Sequence, residues 1–60
     1  METKMVVKDI GIVANTNPVE FVRTVKEDID GYQMYGHTVE VLYSYSANVF
    51  TALLIVRDLA

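Results

Sequence analysis

Few residues in this chain are able to do chemistry. There is one histidine, His37, and no cysteine. A disulfide, a thiolate metal cage and a histidine cluster are thereby excluded. Ser44 and Ser46 offer hydroxyls, but His37 is the one base within reach and no third group orients it. His37 and Glu40 have opposite parity along a strand, so they point to opposite faces and do not make a metal pair. Asp28-x-Asp30-Gly31 hints at a calcium loop. Its glycine comes too early and no ligand follows at the twelfth position. The stretch Gly31-Tyr-Gln-Met-Tyr-Gly36-His37-Thr38 imitates a phosphate-binding loop. His37 stands where that motif needs lysine, and the order is helix then strand, so no helix N-terminus faces a phosphate. The expectation is a non-enzyme with no metal and no cofactor.

Contact chemistry remains. Tyrosine is enriched in binding patches. Tyr32 and Tyr35 flank Met34, an adaptable apolar side chain, in what reads as a helix–strand loop. Tyr43 reads as core and Tyr45 as edge packing. Glu20, Glu27, Asp28 and Asp30 give one helix face an acidic character. Five Lys plus Arg stand against eight Asp plus Glu, a formal net charge of −3. Phosphate-backbone binding needs a basic face, so direct nucleic-acid binding is not expected. Negative charge steers instead toward a basic site on another protein, such as the nucleic-acid groove of a host protein. The candidate partner-binding residues are Tyr32, Tyr35, Glu20, Glu27, Asp28 and Asp30.

The elements that position them follow from local pattern. Residues 3–13 are rich in Val and Ile and predict a strand. Its apolar alternation changes phase between Met5/Val7 and Ile10/Ile12, which predicts a bulge or bend near Gly11. Asn17-Pro18-Val19-Glu20 is a helix start: Asn17 as cap, Pro18 in the first turn, Glu20 in the capping-box position. A helix to about Asp30 follows, with Phe21, Val22, Val25 and Ile29 as its apolar stripe. Arg23–Glu27 and Lys26–Asp30 are expected i,i+4 ion pairs, and Gly31 the left-handed cap. Val39, Val41, Tyr43 and Tyr45 alternate with Thr38, Glu40, Leu42 and Ser44 in a second strand. A turn at Ser46-Ala47-Asn48 leads into a third strand, residues 49–57, apolar on both faces.

The reading is one α+β domain spanning residues 1–60, β-α-β-β. Its three-stranded sheet has order 2-3-1 with the last strand central and antiparallel to both neighbours, respecting the crossover rule. One helix covers one face, expected to be that of Val39, Val41, Tyr43, Phe50, Ala52, Leu54 and Val56. Leu42, Val49, Leu53 and Ile55 are left on an uncovered face, and such patches mark interfaces. Size points the same way. A folded monomer of this mass buries only about 60% of its unfolded surface, which is marginal without a staple. With disulfide and metal excluded, the staple left is self-association into a homodimer or larger assembly. The start of the chain has no secretory apolar stretch, and the longest apolar run, 52–56, is far too short for a membrane span. A cytoplasmic location without membrane contact is expected.

Three resemblances bear on these residues. The short β-α-β tautomerases need an amino-terminal proline; this chain begins Met1-Glu2 and its proline is Pro18, so it does not fit them. The stretch Val7-Lys8-Asp9-Ile10-Gly11-Ile12-Val13 leading into Asn17-Pro18 resembles the dodecins, small β-α-β-β flavin-storing proteins. Their flavin-stacking tryptophan has no counterpart in a chain without Trp. Val39, Val41, Tyr43, Ser44 and then Thr51-Ala52-Leu53-Leu54-Ile55 resemble the hairpin of small acidic β-α-β-β proteins from Bacillus-like bacteria and their phages, including a sporulation-regulated family. That likeness covers mainly residues 37–57 and implies source and fold, with no activity to carry over. The functional expectation is a non-enzymatic, homo-oligomeric interaction protein that inhibits or regulates another protein. The alternative is an oligomer binding a nucleotide or flavin between subunits, with tyrosines stacking the ring and Arg23 or Arg57 holding an anion.

Overall fold

A computed structural model describes residues 4–59. Thr3, where the first strand was expected to begin, lies outside the described residues. The element order is β1 (Met5–Asn15), α1 (Pro18–Met34), β2 (Thr38–Ser46) and β3 (Val49–Leu59). The strands form one sheet of order β1-β3-β2, with both pairings antiparallel. The β-α-β-β layout and the central last strand are as the pattern predicts.

Helix α1 begins where capping chemistry starts it. Asn17 is extended, and its Oδ1 accepts from the backbone N–H of Val19 at 2.9 Å and of Glu20 at 3.1 Å. The reciprocal half of the capping box does not form. Glu20 turns to Arg23, and the Asn17 N–H donates to Asn15 Oδ1 at 2.9 Å instead. The helix runs through Gly31, which is not its cap. It closes at Gly36, whose φ of 81° lets the N–H of Gly36 reach Gln33 O at 2.9 Å and that of His37 reach Tyr32 O at 3.2 Å. These are the two bonds of a Schellman closure, and only the residue at the positive φ can complete them. Tyr32 and Met34 therefore belong to the helix, and Tyr35 is its C-cap rather than a loop residue.

The β2–β3 connection is a two-residue turn. Ala47 and Asn48 both have positive φ, 53° and 65°, the twist that suits a tight hairpin. Ser46 opposes Val49, which fixes the register: Tyr43 opposite Ala52, Val41 opposite Leu54, Val39 opposite Val56. This is the face that meets the helix. Val13, Phe21, Val25, Ala52, Leu54 and Val56 are buried, with Ile29, Val39, Val41 and Phe50 packed around them. Phe21 sits 5.7 Å from Phe50, ring to ring. Val22, expected in the stripe, is 63% exposed, because the helix's inward line runs through Phe21, Val25 and Ile29. Tyr43 is also corrected: it meets only the edge of Phe21, at 6.3 Å, and stays 65% exposed on the outer strand.

The phase change in β1 is a bulge at Lys8, three residues before Gly11. Val7 pairs with Arg57 and Asp9 with Val56, leaving Lys8 as the extra residue. Its consequence is large. Before the bulge odd residues share a face with Arg57 and Leu59; after it even residues share that face with Ile55 and Leu53. Met5, Val7, Ile10 and Ile12 are thus all placed on the same side of the sheet, away from the helix.

Candidate functional site

Two surfaces come out of this fold. The first is the helix-free face of the sheet. Cross-strand partners share a face, so the register assembles two central rows: Ile12, Leu53, Leu42 and Ile10, Ile55, Glu40. Ile12 is 71% exposed and Ile10 57%, while Leu53, Ile55 and Val49 are half-buried by their own neighbours. Polar groups stand around the apolar residues: Ser44, Ser46 and Thr51 toward the hairpin, and Glu40 at the outer-strand end of its row, ion-paired with Arg57 at 2.6 Å. All four expected interface residues, Leu42, Val49, Leu53 and Ile55, lie here. Sequence reasoning missed Met5, Val7, Ile10 and Ile12. The phase change in β1 was their signal, since a bulge between two apolar sets puts both on one side.

The second surface lies along the far half of α1. Glu27, Asp28, Gly31, Tyr32 and Tyr35 line an open groove of about 300 Å³. Helical spacing stacks Glu27, Gly31 and Tyr35 at i, i+4 and i+8, with Asp28 and Tyr32 beside them. Gly31 is the floor: a Cβ built there meets nothing within 4 Å. Tyr32 is the fixed wall. Its hydroxyl donates to Asp9 Oδ2 at 3.2 Å, tying the helix to β1. Desolvation, then the Asp9 and Asp28 charges, push its pKa above the usual phenol value. Tyr35, the other wall, is exposed, its ring 6.5 Å from that of His37.

The six expected partner-binding residues divide. Glu27, Asp28, Tyr32 and Tyr35 come together in the groove. Glu20 sits roughly 10 Å away along the helix axis from Glu27 and is engaged by Arg23. Asp30 accepts from Lys26 Nζ at 2.8 Å, the i,i+4 pair the spacing predicts. That hydrogen bond raises the Lys26 pKa. Arg23 pairs with Glu20 rather than with Glu27. Among the described residues, neither Glu27 nor Asp28 pairs with a cation. Gly31 and Asp9 were missed as parts of this surface.

The other candidate residues do not line the groove. His37 Nδ1 lies 3.0 Å from Asp58 Oδ2, but out of hydrogen-bond alignment. Ser44 and Ser46 are on the exposed strand β2, and no hydrogen bond joins either to His37. Arg23 and Arg57 are each held by a carboxylate, and neither lines the groove. Among the described residues no group of three or more metal-ligating side chains forms. No helix among them is long and apolar enough to cross a membrane. Comparison with protein-family models, with curated proteins and with solved structures finds no match to this chain.

Proposed function

We propose that this chain is a non-enzymatic interaction protein. It pairs with a second copy of itself through the open sheet face and presents α1 to another protein as an inhibitor or regulator. The observation that carries the reading is the apolar sheet face around Ile10, Ile12, Leu42, Leu53 and Ile55, over which no element of the described residues lies.

Area supports a second copy as the occupant. The accessible surface is 4,526 Å², roughly 500 Å² more than expected for a compact chain of this mass. The radius of gyration is 13.1 Å, against about 10 Å expected for this length. Three strands at strand spacing and nine paired residues span on the order of 450 Å² in flat projection. Two such faces total about 900 Å² in flat projection, and side-chain relief adds to that, against a threshold of about 1,000 Å² for a specific interface. Its layout is also that of an interface, with an apolar centre and a polar margin. Two sheets stacked about 10 Å apart would form a four-layer α-β-β-α sandwich. A cytoplasmic location and the likeness to sporulation-regulated acidic proteins belong to the same proposal.

Charge placed in the centre of the face tests it. Ile12→Glu and Leu53→Glu are expected to shift the protein from a multimer to a monomer by light scattering, with the circular dichroism of a folded chain retained for Ile12→Glu. Multimers that survive both substitutions would refute the assignment of the face.

A further inference from the structure

We infer that the groove on α1 is a receptor for the guanidinium of an arginine side chain on a partner protein. This rests on the reading that α1 is the face shown to a partner, and it names the chemistry recognised there.

Three features converge on the groove. Gly31 sits inside α1, without a positive φ and with open space where its side chain would be. Neither backbone conformation nor packing calls for glycine there, and glycine weakens a helix interior. What its missing side chain does is leave room between Glu27 and Tyr35. Among the described residues, Glu27 and Asp28 are two adjacent carboxylates without a cation. The last turn has no basic residue. Tyr32 and Tyr35 line the same groove with aromatic side chains. Breaks in local preference that coincide at one spot mark a site whose ligand repairs them.

The ligand that repairs all three is a planar cation. A guanidinium stacks on tyrosine faces and presents a fork of N–H donors to carboxylates. An ammonium is a compact, strongly hydrated charge and uses the flat faces less well. The groove repels phosphate and carboxylate ligands by its own charge. Tyr32 stays a neutral phenol at physiological pH, so its ring and hydroxyl remain fixed by the Asp9 bond.

The test is a nuclear magnetic resonance titration of the ¹⁵N-labelled chain with N-acetyl-arginine-methylamide, with the lysine and citrulline analogues as controls. Saturable shifts are expected at Gly31, Tyr32 and Tyr35 with arginine, several-fold weaker with lysine and absent with the neutral citrulline. Gly31→Leu fills the groove with a good helix former and is expected to weaken arginine binding at least tenfold. Tyr35→Ala, at an exposed position, is expected to weaken it several-fold. No saturable arginine shift, equal response to lysine, or full binding by folded Gly31→Leu each overturns the inference. Translational diffusion in the same samples reports the assembly. Failed arginine binding by an assembled protein removes the groove alone, whereas a monomer that binds arginine removes the proposed self-association instead.

Discussion

Leu53 and Leu54 are neighbours in one strand. Leu54 is 1% exposed, sealed beneath Phe21 and Val25, whereas Leu53 faces away from the helix between Ile12 and Leu42. The same contrast separates Val56 from Ile55. Residue type does not distinguish the two faces of β3. What differs is a single helix, which has enough apolar width for one side only. A sheet with one wet face normally alternates apolar and polar residues, and β3 does not. A strand apolar on both sides calls for two covers, and the described residues supply one.

The largest expected effect breaks the covered side. Leu54→Ala is expected to cost about 2–5 kcal/mol, comparable with the whole stability of a chain this small. A urea titration followed by circular dichroism checks it, and a folded, cooperative variant of unchanged midpoint would sink the picture of a single core under α1.

Dilution breaks the open side. Pairing through it links stability to concentration, so a hundredfold dilution is expected to lower the melting temperature by about 5 °C or more. Leu54→Ala weakens the fold at every concentration. Ile12→Glu should instead abolish the concentration dependence itself.

Much of the covered face was legible in the sequence, and the reason is local. Alternation in residues 37–45, the Asn17-Pro18 start and the turn at Ser46-Ala47-Asn48 each constrain the chain over a few residues. They left the hairpin register open, and the two-residue turn at Ala47-Asn48 is what pairs Val41 with Leu54. The open face was legible in β2 and β3 but not in β1. A bulge inverts parity, and its place at Lys8 rather than Gly11 depends on pairing with β3. The helix end was misplaced because Gly31 resembles a cap locally. Which glycine closes a helix is decided by where φ turns positive, and that is Gly36. The groove was half visible as tyrosines and acids. Its floor was hidden in the same glycine.

Smaller changes sharpen the comparison through the helix. Asn17→Ala removes the bonds to Val19 and Glu20 and is expected to cost about 1 kcal/mol, loosening the cover while leaving the open face intact. Gly31→Ala is expected to act oppositely, stabilising by up to about 1 kcal/mol, because the site is helical and unobstructed. Gly36→Ala should destabilise, since its φ is 81°. Thermal melts of the three variants give the signs, and a stabilised Gly36→Ala would contradict the helix end described above.

The smallest effect is on pH. Tyr32 has a raised folded pKa, so its phenol form favours the fold. That contribution is complete below the ordinary value of 10.0 and is lost as pH climbs through the raised one. Ultraviolet titration should show a tyrosine step above pH 10.0, and Tyr32→Phe should remove that step.

Whether the open face is a pairing face is answered most directly by the native mass of the unmodified protein, recorded by native mass spectrometry at micromolar concentration without added ligand. A species at twice 6.8 kDa, or a higher even multiple, is expected. A mass of 6.8 kDa that persists as the concentration is raised would contradict it, leaving Ile10, Ile12, Leu42, Leu53 and Ile55 bare in solution.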